Sequence, residues 1–76
     1  MKELVEYMAR SLVDRPDEVE VSLSEDEQGA VLELKVAKED LGKVIGRQGR
    51  IAKSMRAILS AASAREGKRF LLEIQE

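Results

Sequence analysis

The chain has 76 residues, 37% of them charged, with no Cys and no His. A domain of this length buries only about 60% of its unfolded surface, so a thin core is expected and an elaborate catalytic pocket is not. Without Cys or His there is no disulfide framework, no thiolate ligand and no histidine base, which leaves the expectation of a non-enzymatic module with no metal and no other cofactor.

In the opening segment MKELVEYMARSL, Leu4, Met8 and Leu12, with Val5 alongside, recur at helical spacing and predict a helix with one buried face. Pro16 restricts the residue before it and ends that helix by about Arg15. The acids inside the apolar pattern are unlike a signal or transit segment, and no apolar run is long enough to span a bilayer, so a soluble, cytoplasmic protein is expected. Next, Val19, Val21 and Leu23 alternate with Glu20 and Ser22, as Leu32, Leu34 and Val36 do with Glu33 and Lys35. These are two strands, each with one buried face. SEDEQG between them reads as a turn. Its acids, Glu25, Asp26 and Glu27, are adjacent rather than spaced as the ligands of a hard cation are, and they read as solvated loop.

Asp40 can cap a short helix from Leu41 to Val44, which Gly46 and Gly49 interrupt before a second helix from about Arg50 to Glu66, stopped by Gly67. On the second helix Ile51, Met55, Ile58, Leu59 and Ala62 share one face. Arg50, Lys53 and Arg56 lie almost opposite and are expected to face water. Phe70, Leu72 and Ile74 alternate with Leu71 and Glu73 as a third strand, Leu71 outward. The order is helix, strand, strand, helix, helix, strand, an α+β fold in a single domain over 1–76, with no repeat, linker or low-complexity segment.

The net charge of −2 conceals a sorting of charge: residues 1–40 hold 5 Lys+Arg against 12 Asp+Glu, and residues 41–76 hold 8 against 3. From Leu41 to Met55 there is no acid, while Lys43, Arg47, Arg50 and Lys53 follow one another. A basic patch on an acidic chain suggests a polyanion site of limited extent. It coincides with VIGRQGRIAKSMR, residues 44–56, where a helix N-terminus offers unpaired N–H groups and the positive end of a dipole. Gly46 and Gly49 permit tight-turn dihedrals and let a sugar-phosphate strand approach, Arg47 projects from the turn, and Gln48 adds hydrogen-bonding capacity without charge. A lone GxxG more often only bends a helix pair. The spacing of Gly42, Gly46 and Gly49 is neither GxGxxG nor a Walker A loop.

The stretch LGKVIGRQGRIAKSMRAIL resembles the GXXG core of KH domains. Val44 and Ile45 precede the glycines, cations surround them, and the element order is that of the type II form; the whole chain resembles the small stand-alone bacterial KH proteins of the KhpA type. The resemblance implies a type II KH fold, a three-stranded sheet with helices packed on one face. It implies an RNA chaperone or post-transcriptional regulator that binds single-stranded RNA, with single-stranded DNA as the alternative. The clamp would be Gly46, Arg47, Gln48 and Gly49, flanked by Lys43, Arg50 and Lys53, with bases on an aliphatic groove to which Val44, Ile45 and the outward Val31 contribute. Tyr7 and Phe70 are the only aromatics, so stacking is limited and one copy should bind weakly. The resemblance also implies pairing with a second KH-containing protein; a second copy is another route to avidity, which outward Leu71 would favour, and the short apolar runs lead to the expectation of no membrane partner. The competing reading is an assembly subunit in which the small residues Ser54, Ala57, Ser60, Ala61 and Ala64 admit another helix.

Overall fold

A computed structural model describes residues 1–75. Helix α1 (Lys2–Leu12) buries Val5 and Ala9 completely and Met8 in part, with Met1 packed beside them just before it, whereas Leu4 and Leu12, expected on the same face, are 37% and 36% exposed. Val13 already leaves the helix in an extended conformation, and Pro16 opens a single 3-10 turn through Glu18. No described helix is long and apolar enough to cross a membrane.

Strands β1 (Glu20–Asp26) and β2 (Gly29–Lys35) form an antiparallel hairpin whose pairing runs to Asp26 opposite Gly29. The turn is therefore shorter than SEDEQG: Ser24 and Glu25 belong to the strand, and only Glu27 and Gln28 form the loop. Asp26 Oδ1 accepts hydrogen bonds from the N–H groups of Gln28 (2.8 Å) and Gly29 (3.1 Å), and Glu25 pairs with Lys68. Two of the three acids thus serve the hairpin.

The chain then passes through α2 (Leu41–Ile45), the GRQG turn and α3 (Arg50–Glu66) before β3 (Phe70–Ile74) returns parallel to β2, giving the sheet order β1-β2-β3. Alternation decides the layers. Val21, Ala30, Leu32, Leu34 and Leu72 are buried beneath the helices, while Ser22, Ser24, Val31, Glu33, Leu71 and Glu73 occupy the other face. Leu32, Leu34, Leu59 and Val44 are almost wholly enclosed, each contributing about 1.5–3 kcal/mol by burial. The result is α+β, with all three helices on one side of a mixed sheet.

Two local expectations are overturned. The buried seam of α3 is Ala52, Met55 and Leu59, while Ile58 is 47% exposed and Ile51 only partly covered. The seam sits roughly 50° round the helix from the apolar centre of the sequence pattern, at about 100° per residue. That rotation brings Arg56 to the flank of the sheet, where its Nε donates to the Leu72 carbonyl at 3.3 Å while the side chain stays exposed, as expected. Asp40 precedes α2 but does not cap it through its side chain. Its carboxylate, 1% exposed, accepts the backbone N–H groups of Asp14 (3.2 Å) and Arg15 (3.0 Å), fastening the segment after α1 to the start of α2.

Candidate nucleic-acid interface

The turn between α2 and α3 is built from unusual backbone. Gly46 (φ 78°, ψ 171°) lies in a region reserved for glycine, Gln48 (φ 57°, ψ 26°) and Gly49 (φ 73°, ψ 14°) are left-handed, and the Gly49 N–H closes the turn on the Gly46 carbonyl at 3.1 Å. Gln48 is the one non-glycine residue with positive φ among those described. A side chain of this kind is rarely left-handed, so the turn holds strain at the tip that carries Arg47.

The two glycines have different tasks. A Cβ on Gly46 would lie 2.6 Å from Ile51 Cγ1 and 2.9 Å from the Ile51 backbone nitrogen, so this glycine lets α2 and α3 close on each other. A Cβ on Gly49 would meet nothing within 4 Å. Gly49, and not Gly46, is therefore the glycine that leaves open space for an approaching strand.

Charge is distributed unevenly over the expected site. Arg47, Gln48, Arg50 and Lys53 are exposed around the turn, and none of the three cations enters an ion pair among the described residues. No side chain caps the N-terminus of α3, whose dipole therefore faces the same space. Lys43 is engaged instead: its Nζ pairs with Asp14 and lies 3.6 Å from Asp40. The hydrogen bond to Asp14 outweighs its partial burial and raises the Lys43 pKa. Burial pushes the Asp40 carboxyl upward, but the N–H groups of Asp14 and Arg15, together with Lys43, more than offset this and hold it below its ordinary value.

The aliphatic groove is corrected. Val44 is 0% exposed, locked in the core and closed to any base, and Val31 sits on the sheet face away from the helices, where it cannot join Ile45. Ile45 and Ile51 remain partly exposed beside the turn. A groove lies between α3 and β3, lined by Arg56, Ser60, Ser63, Phe70 and Leu72, so that of the small-residue strip on α3 Ser60 borders it. Its signal in the sequence was the pairing of small residues on α3 with an edge strand, which spacing alone does not bring together.

Three helices over a β1-β2-β3 mixed sheet, with a glycine-bracketed turn joining the second and third, make this a KH domain of the type II order. The family model for the KhpA/KhpB KH domain matches residues 2–74, and the chain belongs to that family. It is 60% identical over 74 residues to the RNA-binding protein KhpA of Clostridium acetobutylicum, covering 97% of this chain and 99% of that one. The same-named protein of Clostridium perfringens is 54% identical over 97% of this chain and 99% of its own, and that of Aquifex aeolicus 50% identical over 100% and 96%. Among solved structures, Aquifex aeolicus Era bound to GDP.AlF4- shares the fold with a TM-score of 0.63 at 20% identity, over 96% of this chain and 28% of that one.

Proposed function

We propose that this chain binds single-stranded RNA without catalysis, gripping the sugar-phosphate backbone at Gly46, Arg47, Gln48 and Gly49, with Arg50 and Lys53 as flanking cations. The observation that carries this reading is an exposed, strained turn bearing unpaired cations directly at an uncapped helix N-terminus. Relatives named RNA-binding protein KhpA support it. Lys43 acts indirectly, by holding the turn to the α1 side, and the role is that of an RNA chaperone or post-transcriptional regulator in the cytoplasm.

The test is the double variant Arg47→Asp/Gln48→Asp. Both positions are exposed, Asp tolerates left-handed backbone, and acids favour a helix N-terminus, so the melting temperature should move little. Fluorescence anisotropy on a labelled single strand should show binding lost. In the wild type, with about four phosphates gripped, affinity should fall roughly 50-fold from 50 to 200 mM salt. DNA of the same sequence, run in parallel, measures the contribution of the 2′-OH. A folded variant with undiminished affinity would reduce GRQG to a bend.

Pairing with a second KH-containing chain, a further copy or another protein, is a second part of the reading. It is favoured by a strip of apolar surface where Tyr7, Met8 and Leu12 of α1 meet Ile51 and Ile58 of α3, with Tyr7 72% and Ile58 47% exposed.

A further inference from the structure

The acidic half of the chain has no part in the proposed RNA site, and it presents a free strand edge. Among the described residues β1 pairs only with β2, in a continuous register from Glu20 to Asp26 with no bulge and no proline. Pairing on the far side of β2 fixes which backbone groups lie on that edge. The Ala30 N–H donates to the Arg69 carbonyl at 2.8 Å and the Leu34 carbonyl accepts the Gln75 N–H at 2.9 Å, so Ala30, Leu32 and Leu34 turn their backbone groups toward β3. Val31, Glu33 and Lys35 therefore bond to Ser24, Ser22 and Glu20, and Val21, Leu23 and Glu25 point their N–H and C=O groups outward. None of these outward groups finds a partner among the described residues.

We infer that this edge docks an extended basic segment of another protein, which joins the sheet as a fourth strand beside β1. In such an addition main-chain hydrogen bonds supply the affinity and alternate side chains the selectivity. Charge decides the occupant. Asp17, Glu18, Glu20, Glu25, Asp26 and Glu27 lie in and around β1, and no cation stands between residues 17 and 27. Lys68 engages Glu25, whereas Glu20 faces Lys35 across the ladder without an ion pair, so Glu20 and Asp26 are open to an added strand on the bare face of the sheet. On the helix side Leu23, 41% exposed, offers an apolar contact. The complementary segment carries cations spaced as Glu20 and Asp26 are, with an apolar residue midway between them. A second copy fits poorly, because β1 paired antiparallel with itself about Leu23 sets Glu20 against Asp26 twice. Nucleic acid is repelled by the same acids. Acids guard the edge against further copies of itself, while the bulge or proline that would close it to every strand is absent from β1.

The probe is the peptide acetyl-Lys-Thr-Thr-Val-Thr-Val-Lys-amide, titrated into the isotopically labelled full chain and followed by amide chemical shifts and hydrogen exchange. In the antiparallel register its lysines oppose Asp26 and Glu20 and its first valine opposes Leu23. With peptide at about ten times Kd, exchange at Val21, Leu23 and Glu25 should slow about tenfold, while Ser22 and Ser24, already bonded to β2, change little. Replacing both lysines by threonine should weaken binding about 2–30-fold, and replacing them by glutamate more. N-methylation of the two valines, whose N–H groups face β1 in this register, should abolish binding, whereas N-methylation of the third and fifth residues, which face away, should leave it unchanged, the protein being unaltered in both. Undiminished binding of the valine-methylated or the glutamate peptide overturns the assignment, as do shifts confined to other faces or no change at these three amides up to about 5 mM peptide. Protection of the same amides that rises with protein concentration in the absence of peptide overturns it too, since a second copy then holds the edge.

Discussion

Replacing each clamp glycine by Ala separates the two tasks assigned to them. At Gly46 the new Cβ meets a glycine-only backbone region, costing about 1–3 kcal/mol, and a contact of 2.6 Å with Ile51 Cγ1. The clash cannot be relieved by a rotamer alone, because the Ile51 backbone nitrogen is also within 2.9 Å, so the first turn of α3 must shift at about 1–3 kcal/mol more. Reduced freedom of the unfolded chain returns about 0.4–1 kcal/mol, leaving a net loss of about 2–5 kcal/mol. At Gly49 only the left-handed backbone opposes Ala, about 1–2 kcal/mol before the same offset, so the net loss is about 1 kcal/mol. With total stability on the order of 4–11 kcal/mol for this length, Gly46→Ala is close to unfolding and Gly49→Ala is not.

Urea denaturation followed by circular dichroism measures the difference. At a slope near 1 kcal/mol per M, Gly46→Ala should lower the midpoint by about 2 M or more and Gly49→Ala by about 1 M. RNA binding should rank the folded proteins the other way, since the Gly49 methyl projects into open space. Its obstruction of one charge-assisted hydrogen bond of about 1.5 kcal/mol gives a loss on the order of tenfold. Equal midpoints, or a milder loss at Gly46 than at Gly49, would refute the division of labour.

Two further predictions concern other parts of the fold. Because the folded-state pKa of Asp40 is depressed, its stabilisation is complete above the unfolded value of about 3.9 and is lost as pH falls through the lower folded value; stability should therefore drop below about pH 4. Asp40→Asn should be less stable at neutral pH with a shallower acid limb, and parallel curves would deny Asp40 its anchoring role. For pairing through the α1 and α3 strip, Ile58→Asp should convert a micromolar dimer to a monomer by sedimentation velocity while leaving the melting curve of the single domain little changed. A wild-type monomer at that concentration would dismiss the strip.

The element order was legible because the strands alternate cleanly and glycines mark both ends of α3. Orientation within the layers was less so. An apolar stripe on α3 defines a face about 100° wide, and only the position of the sheet decides whether Ile58 or Ala52 lies at its centre. The hairpin loop was overestimated because Ser24 and Glu25 have loop-like chemistry, yet occupy strand positions opposite Val31 and Ala30. Asp40 and Lys43 show the limit most plainly. Their local sequence signals a helix cap and a site cation, but their partners Asp14 and Arg15 are 25 or more residues away and visible only in the fold. The GRQG turn was legible as a place, since two glycines among cations specify backbone; which glycine packs and which stays open depends on Ile51.

The paired charges also give the proposed site a direction. Asp14 withdraws Lys43 from the basic patch, and on the bare face of the sheet Lys35 stands opposite Glu20 across β1 and β2, whereas Glu33 and Glu73 face each other directly across β2 and β3. Like charges so placed repel one another and a polyanion alike, and Gln75 Nε2 relieves the pair only by donating to Glu33 at 2.7 Å. A strand held at Arg47 and Arg50 is therefore turned away from the sheet face. Cations continue along the flank of α3, first Lys53, then Arg56 over the β3 edge, then Arg69 lining the groove between α3 and β3. In the proposed complex, the cations at the turn and the Glu33–Glu73 pair on the sheet would bias a strand to leave the turn along α3, which a uniformly basic domain of the same size would not do.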